Sequence, residues 1–160
     1  MPWHFDSLRG IVPPIHDVTT DPDNPPAFVA AAALRKAQNL NTTDYDPKLP
    51  AQQRRVFADL TPIVLDLPPD RAFARATATA QRLGWKVTES DPAAGRIEAT
   101  ETSRWFRFVD DVVIRIAPAP GGSRIDLRSS SRVGRSDFGV NAARIRRFAA
   151  AVRQASEPAP

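Results

Sequence analysis

The stretch "DDVVIRIAPAPGGSRIDLRS", residues 110–129, decides the fold of this chain. In its first half, Val112 and Ile114 alternate with Asp111 and Arg115, which is typical of a β-strand with one apolar face. The second half alternates in the same way, and the "APGG" segment between the halves is a hairpin turn signal. The stretch therefore predicts two antiparallel strands that bury one face.

The segments before this hairpin continue the same architecture. A helix is predicted at 68–84, because two prolines stand at its start and Gly84 follows its last apolar residue. After the hairpin, Ile145, Phe148 and Val152 form the apolar stripe of a second helix, with Asn141 as its expected N-cap. Alternation or short apolar runs predict further strands at 60–67, 85–90 and 96–103.

This order predicts an α+β fold, a two-layer sandwich with an antiparallel sheet of four to five strands. Each of the two main helices is apolar on one side only, so both should lie on one face of the sheet. The other face, to which Arg128 and Ser130 should point, stays open unless the N-terminal half lies across it.

The N-terminal half is rich in proline, with 11 of the 16 prolines in residues 1–69. Proline at this density interrupts long helices and central strands. We therefore expect residues 1–59 to form an extension packed on a core at 60–156, within a single domain. Short helices are predicted at 27–38 and 51–60.

Composition excludes several kinds of site. The 160 residues include no Cys and two His, so disulfides and thiolate chemistry are excluded and a zinc site is improbable. The "DPDN" segment lacks the glycine and glutamate that a calcium loop requires at its sixth and twelfth positions. No glycine-rich phosphate loop is present, and we expect neither a metal nor a cofactor.

Targeting signals give a conditional expectation for localisation. The chain has no apolar run of about 18 residues and no signal-peptide pattern at its start. We expect a cytoplasmic protein if Met1 is the natural start, and a membrane-associated or periplasmic one if the chain was cut from a longer anchored precursor.

Positive charge is concentrated near the C-terminus, where residues 124–153 contain eight Arg against Asp126 and Asp137. Such asymmetry is typical of proteins that bind nucleic acid or an anionic membrane surface, but also of a solvated helix face. The segment lacks Lys and the interleaved aromatics of a single-strand binding platform. Nucleic acid is therefore a less favoured partner.

The turn "SRVGRSDFGVNAARI", residues 131–145, is the leading candidate site. Its guanidinium, hydroxyl and amide groups, with the backbone N–H groups of the next helix, could hold a carboxylate or phosphate. Alternatively, Asp137 accepts backbone N–H groups or pairs with Arg132, and the turn is a structural joint. The candidate ligand-binding residues are Arg128, Ser130, Ser131, Arg132, Ser136, Asp137 and Asn141, together with Asp111 and Trp105.

Two neighbouring motifs each allow a structural and a functional interpretation. Asp110 and Asp111 should point to opposite faces of their strand, which favours salt bridges to Arg128 or Arg115 over acid–base catalysis. The aromatics of "RWFRFVDD" could line a pocket or docking surface on the open face, or pack under the N-terminal extension.

An enzyme is the alternative hypothesis. His16 could serve as a general base with Asp111 and Arg128 in a hydrolase-like site. However, "GRSDFG" is one residue too long for a nucleophile elbow. A packing role for His16 is the default interpretation.

The segments "WFRFVDDVVIRI" and "SRIDLRSSSRVGRSDFGVNAARIRRF" resemble the signature of domain-of-unknown-function family 1499. In that family a Phe-Val-Asp-Asp strand precedes Arg-Ser-x-Ser-Arg-x-Gly-x-Ser-Asp-x-Gly-x-Asn-x-x-Arg-Ile, and this chain has every defined position from Arg128 to Ile145. The resemblance implies a bacterial or plastid protein without an assigned activity. Relatives often carry hydrophobic segments ahead of the domain, and membrane association is expected only through such a segment.

Together these observations predict a non-catalytic binding or interaction module. It would recognise a small anionic or amphipathic ligand, or a partner chain, beside the arginine-rich turn.

Overall fold

The computed structural model describes residues 14–137 and 139–155. In chain order, its elements are β1 (Asp17–Thr19), α1 (Ala30–Ala37), α2 (Leu49–Val56), β2 (Ile63–Leu65), α3 (Pro69–Arg82), β3 (Lys86–Asp91), β4 (Arg96–Thr102), β5 (Val109–Ala119), β6 (Gly122–Ser131) and α4 (Val140–Gln154). Within the described ranges, no helix combines the length and apolarity that crossing a bilayer requires.

The six strands form one antiparallel sheet in the order β1-β6-β5-β4-β3, with β2 also paired to β6. The α+β prediction is confirmed, although the sheet has more strands than the four to five expected. Both short strands share the outer edge of β6: Asp17 pairs with Ser130, and Ile63 pairs with Ile125. Because β1 is three residues long and lies among prolines, its alternation is too short to be recognised from sequence.

The main core lies between the sheet and helices α3 and α4. Ile114 and Leu127 are fully buried on neighbouring strands, and Ala76 of α3 and Phe148 of α4 pack in the same cluster. Small alanines at Ala72, Ala76 and Ala80 let α3 lie close to the strands. Both main helices therefore occupy one sheet face, as their single apolar stripes predict.

The opposite sheet face is not open, because part of the N-terminal half lies across it. Residues 20–48, here called the N-terminal cover, lie across it and contain α1. Glu98 of β4 accepts three backbone N–H groups at the start of α1, at 3.0, 2.8 and 3.0 Å. Phe28 and Ala31 bury Val113 of β5 in a second, smaller cluster. The division at residue 59 stays a prediction, but β1 is a strand of the same sheet as the later elements, and α1 packs on that sheet.

The close approach of Gly95, in the β3–β4 turn, to the backbone of β5 can be tested by substitution. It has φ +68°, and an added Cβ would lie 2.3 Å from the Ile116 carbonyl oxygen, whereas Gly84, with φ +84°, has open space around it. We expect Gly84→Ala to lower the free energy of unfolding by about 1–2 kcal/mol from left-handed strain. Gly95→Ala should cost about 1–3 kcal/mol more from overpacking. Chemical denaturation of both variants checks this; equal losses would contradict it.

Candidate functional site

The arginine-rich turn follows β6, whose alternation divides its side chains between the two sheet faces. Ser130 pairs with Asp111, and Arg128 with Val113, on the face beneath the N-terminal cover. Ser129 and Ser131 point to the face that carries α4, where Asn141 meets both. The candidate residues therefore form two separate clusters rather than one.

Arg128 is 3% exposed, and its guanidinium group forms hydrogen bonds to three residues of the chain. Its Nε and Nη2 atoms donate to the two carboxylate oxygens of Asp17 at 2.9 and 2.8 Å. Nη1 donates to the Pro26 carbonyl at 3.2 Å, and Nη2 to the Thr43 carbonyl at 2.5 Å. Arg128 points as predicted, but its guanidinium nitrogens are all engaged within the chain.

Two aromatic rings complete the environment of Arg128. The guanidinium carbon lies 4.8 Å from the Phe28 ring centroid and 5.2 Å from that of Tyr45. Such cation–π contacts stabilise a desolvated arginine by up to about 2 kcal/mol. Burial also raises the pKa of Tyr45, next to the negative charge of Asp17. The phenol therefore stays protonated beside the ion pair.

Asp111 joins two arginines on the same sheet face. Its Oδ2 atom accepts from the Nε of Arg35 at 2.8 Å and from the Nε of Arg132 at 2.9 Å. Its Oδ1 atom accepts from Nη2 of Arg132 at 2.9 Å. Arg35 also donates to the hydroxyl and the carbonyl oxygen of Ser130. The hydrogen bond to Asp111 raises the pKa of Arg132, so the guanidinium stays charged within this ion pair.

On the other sheet face, Asn141 lies at the centre of a buried hydrogen-bond cluster. Its Nδ2 donates to the Ser131 hydroxyl at 2.9 Å and to the His16 carbonyl at 3.3 Å. Its Oδ1 accepts from the Ser129 hydroxyl at 2.6 Å and from Arg144 at 2.7 Å. The amide is thereby satisfied at both ends.

The predicted N-cap is wrong, because Asn141 is the second residue of α4 and its side chain turns back to β6. Gly139, at φ 89°, precedes the helix. Asp137 provides the cap instead: its Oδ1 accepts the Gly139 N–H at 2.8 Å, and its Oδ2 accepts the Asn141 N–H at 2.7 Å. The interpretation that Asp137 binds backbone N–H groups agrees with these contacts. Ser136 is half-buried and also has an intramolecular partner.

Asp110 and Asp111 lie on opposite faces, as predicted, but their expected partners are wrong. Asp110 binds Arg144 at 2.8 Å rather than Arg115 or Arg128. Burial raises the pKa of Asp110, and the Arg144 charge opposes this shift. Val113 and Asp126 are the residues opposite Arg128 and Arg115 in the sheet. The partners therefore come from helices and turns rather than from cross-strand neighbours.

The C-terminal positive charge is mostly neutralised within the fold. Among the described residues, six of its eight arginines form ion pairs, namely Arg124, Arg128, Arg132, Arg144, Arg146 and Arg147. The charge asymmetry of the sequence therefore overstates the charge available to an anionic partner.

The internal contacts of Arg128, Arg132, Asp137 and Asn141 favour the interpretation of the turn as a structural joint over its interpretation as a ligand site. The Nε of Arg144 is a buried donor without a partner in the described part of the chain, and it is sealed from solvent. Surface grooves of about 630 and 270 Å³ lie beside the β3–β4 turn and share Ala94 and Arg115. The assignment of the turn residues as ligand contacts stays a prediction.

The hydrolase-like alternative also stays a prediction. The backbone carbonyl of His16 accepts from the N–H of Ser131, so His16 lies beside the end of β6. The carboxylate of Asp111 already accepts three guanidinium hydrogen bonds. Within residues 14–137 and 139–155, no group of His, Asp or Glu is arranged to hold a metal ion.

Trp105 belongs to neither cluster; it lies in the six-residue loop 103–108 between β4 and β5, here called the aromatic tip. Trp105 is 90% exposed, Phe106 77% and Phe108 53%. Of the two interpretations of these rings, packing under the N-terminal extension is therefore wrong. They project into solvent at the end of a hairpin, because β4 and β5 stay paired as far as Thr102 and Val109.

The aromatic tip has a defined backbone conformation. The Ser103 N–H donates to the Phe108 carbonyl at 2.8 Å, and the Phe108 N–H donates to the Ser103 hydroxyl at 3.0 Å. Arg107 adopts the left-handed conformation at φ 52°. The Phe106 and Phe108 rings stack with their centroids 5.8 Å apart. The backbone of the tip and the Phe106–Phe108 pair thus have defined contacts within the loop.

Sequence reasoning missed most partners of the turn residues. Arg35 lies in an alanine-rich helix whose apolar face is weak, and the helical pattern places Arg144 on the polar side of α4, yet each is 1% exposed. The spacing of Ala31 and Arg35, one helical turn apart, is the available signal that Arg35 lies on the buried side of α1. Nothing local identifies Asp17 as the partner of Arg128.

Solved structures resemble part of this chain. Among solved structures, similarity is found to protein CV1439 from Chromobacterium violaceum, at 17% identity over 59% of this chain and 95% of that chain, with a TM-score of 0.36. Protein TTHA0849 from Thermus thermophilus is 12% identical over 61% of this chain and 97% of that chain, with a TM-score of 0.37.

No curated protein matches the chain. The model of the family described as "Protein of unknown function (DUF1499)" matches residues 17–152. This range runs from β1 into the last turn of α4, and it confirms the predicted resemblance. The chain therefore belongs to the DUF1499 family.

Proposed function

We propose that this domain is a non-catalytic docking module that attaches to the surface of an anionic lipid bilayer through the aromatic tip. The observation that carries the proposal is the exposure of Trp105, Phe106 and Phe108 on one short hairpin. Three clustered exposed aromatics are uncommon on a soluble surface and are typical of interaction sites. Tryptophan in particular favours the membrane–water interface, where its ring is apolar and its N–H stays hydrated.

The charges of the aromatic tip support an anionic lipid surface as its partner. Arg104 and Arg107 alternate with the rings and are both exposed. Neither has an ion-pair partner among the described residues. Each arginine near an anionic leaflet contributes about 1 kcal/mol of attraction, and each apolar ring contributes about 1.5–3 kcal/mol when fully buried. Apolar insertion and charge together provide the two signals that stable surface attachment requires.

The shape of the tip favours a lipid surface over a protein partner. A specific protein interface buries about 800 Å² on each side, whereas the aromatic tip is a convex loop of six residues. A bilayer interface adapts to a convex tip and needs no matching pocket. Phe106 and Phe108 also stack on each other, which leaves fewer free ring faces for nucleic-acid bases.

The proposal is tested by co-sedimentation with vesicles of phosphatidylcholine, with and without phosphatidylserine. We expect the native protein to bind the anionic vesicles more tightly. A Trp105→Ser, Phe106→Ser, Phe108→Ser triple variant should bind at least about tenfold more weakly, because the rings no longer enter the interface. Val64→Ser is the matched control, since Val64 is also apolar and exposed but lies on β2.

Three results would overturn the proposal. In the first, the native protein stays in solution with both kinds of vesicle. In the second, the triple variant binds as well as the native protein. In the third, the tip drives self-association of the protein or binds a single-stranded oligonucleotide more tightly than the anionic vesicles.

A further inference from the structure

The exposed apolar residues of this domain gather at one end of the sheet. Within the described residues, seven large hydrophobic side chains are exposed, and Val29 and Val64 are the two that lie elsewhere. The other five lie in the aromatic tip, in the β6–α4 connection or at the first residue of α4: Trp105, Phe106, Phe108, Val133 and Val140. Most of the exposed large hydrophobic side chains among the described residues therefore lie in or next to these two connections.

The order of strands brings these two connections side by side. Strand β5 lies between β4 and β6, so the loop that joins β4 to β5 and the turn that leaves β6 emerge at the same sheet end. At this end the Arg132 N–H donates to the Val109 carbonyl at 3.4 Å. Neighbouring strands lie about 5 Å apart, so the bases of the two connections are about one to two strand spacings apart.

The described residues 132–137 of the β6–α4 connection are positioned by hydrogen bonds to the N-terminal cover and to the start of α4. The Asn41 side chain donates to the Gly134 carbonyl at 2.8 Å and to the Ser131 carbonyl at 3.2 Å. Asp137 caps the start of α4. Val133 is nevertheless 46% exposed. Val133 is therefore exposed within a hydrogen-bonded segment.

The aromatic tip and the β6–α4 connection also carry positive charge at this end of the sheet. Their acidic residues and those of the adjoining strand ends are all engaged: Asp110 and Asp111 in buried ion pairs, Asp137 in the cap, and Glu101 with Arg147. Arg135 is exposed and has no ion-pair partner among the described residues. With Arg104 and Arg107 it leaves an outward positive charge at this end.

We infer that Val133, Arg135 and Val140 form a second membrane contact beside the aromatic tip, so that the domain stands on an anionic bilayer on one end of its sheet. This inference rests on the proposed function. Two contact points restrict the orientation of the domain, so that strands β5 and β6 stand at a large angle to the membrane plane. A single hairpin contact would leave the domain free to tilt. Arg135 binds lipid phosphate or carboxylate groups beside the inserted rings.

The test compares two double variants on vesicles of phosphatidylcholine and phosphatidylserine. Val133→Ser with Arg135→Ser removes one apolar group and one charge from the turn, and we expect about tenfold weaker binding. Val64→Ser with Arg55→Ser removes the same groups from β2 and α2 and should bind like the native protein. Both variants change exposed side chains, so their thermal unfolding should match that of the native protein.

The outcomes separate the inference from the proposed function. If the native protein does not bind vesicles at all, the proposed function fails and the inference with it. If native binding depends on the aromatic tip but the Val133 and Arg135 variant binds like the control, the inference alone is wrong. If both double variants bind vesicles equally more weakly than the native protein, the inference is also wrong, because the loss would then reflect the net charge of the protein rather than the position of the residues.

Discussion

Replacing Asp111 by alanine should lower the free energy of unfolding by about 3–5 kcal/mol. The change removes the carboxylate that accepts from Arg35 and Arg132. Arg35 is 1% exposed and would keep a positive charge away from water beneath the N-terminal cover. Arg132 is less affected, since part of its side chain already reaches solvent. Urea unfolding followed by circular dichroism gives the measurement.

Two further variants show that the loss comes from an unpaired buried charge. Asp44→Ala removes an exposed carboxylate and should change stability by less than about 0.5 kcal/mol. The double variant Arg35→Met, Asp111→Leu removes both buried charges and should be more stable than Asp111→Ala, because apolar groups of similar volume can replace a buried ion pair. A double variant less stable than the single one would contradict this account.

Replacing Arg128 by alanine should have a similar effect, again about 3–5 kcal/mol of lost stability. Asp17 would stay buried without its bidentate partner, and the carbonyls of Pro26 and Thr43 would lose their donor. The rings of Phe28 and Tyr45 would face a cavity. Arg128→Lys should recover little of the loss, because an ammonium group cannot reproduce the planar fork that reaches three acceptor groups.

The Arg128 result also distinguishes a structural role from a ligand role. A guanidinium that serves only to bind a ligand would leave the stability of the unliganded protein unchanged on substitution. Arg135→Ala is the matched control, since Arg135 is exposed in the same turn and should change stability by less than about 0.5 kcal/mol. If both alanine variants unfold like the native protein, the structural interpretation of the turn is wrong.

Much of the fold could be predicted because its elements are specified locally. Alternation places Ile114 and Leu127 toward the helices and Asp111 and Arg128 toward the other face, since side chains on a strand alternate whatever the strand packs against. The predicted short helix at 27–38 is present as Ala30–Ala37. The three-residue strand β1 escaped prediction because three residues are too few to show a period.

The candidate site was harder to predict, because exposure is not a local property. The sequence marks Trp105 as a candidate contact residue, yet its exposure depends on β4 and β5 remaining paired to the base of the loop. Arg144 lies on the polar, solvated side of a helical wheel, whereas the structure buries it against Asp110. A charged side chain shows from sequence that it needs a partner, but not where the partner lies.

By itself, the sequence determined the family, the α+β class and the face of the sheet on which each side chain of β5 and β6 lies. These follow from local alternation and from the pattern between Arg128 and Ile145. Only the tertiary structure decided which arginines are available to a partner. Arg128 meets Asp17 across 111 residues and Thr43 across 85, and pairing over such separations depends on how the N-terminal cover packs. The same packing provides partners within the chain for the residues of the arginine-rich turn and leaves the aromatic tip exposed.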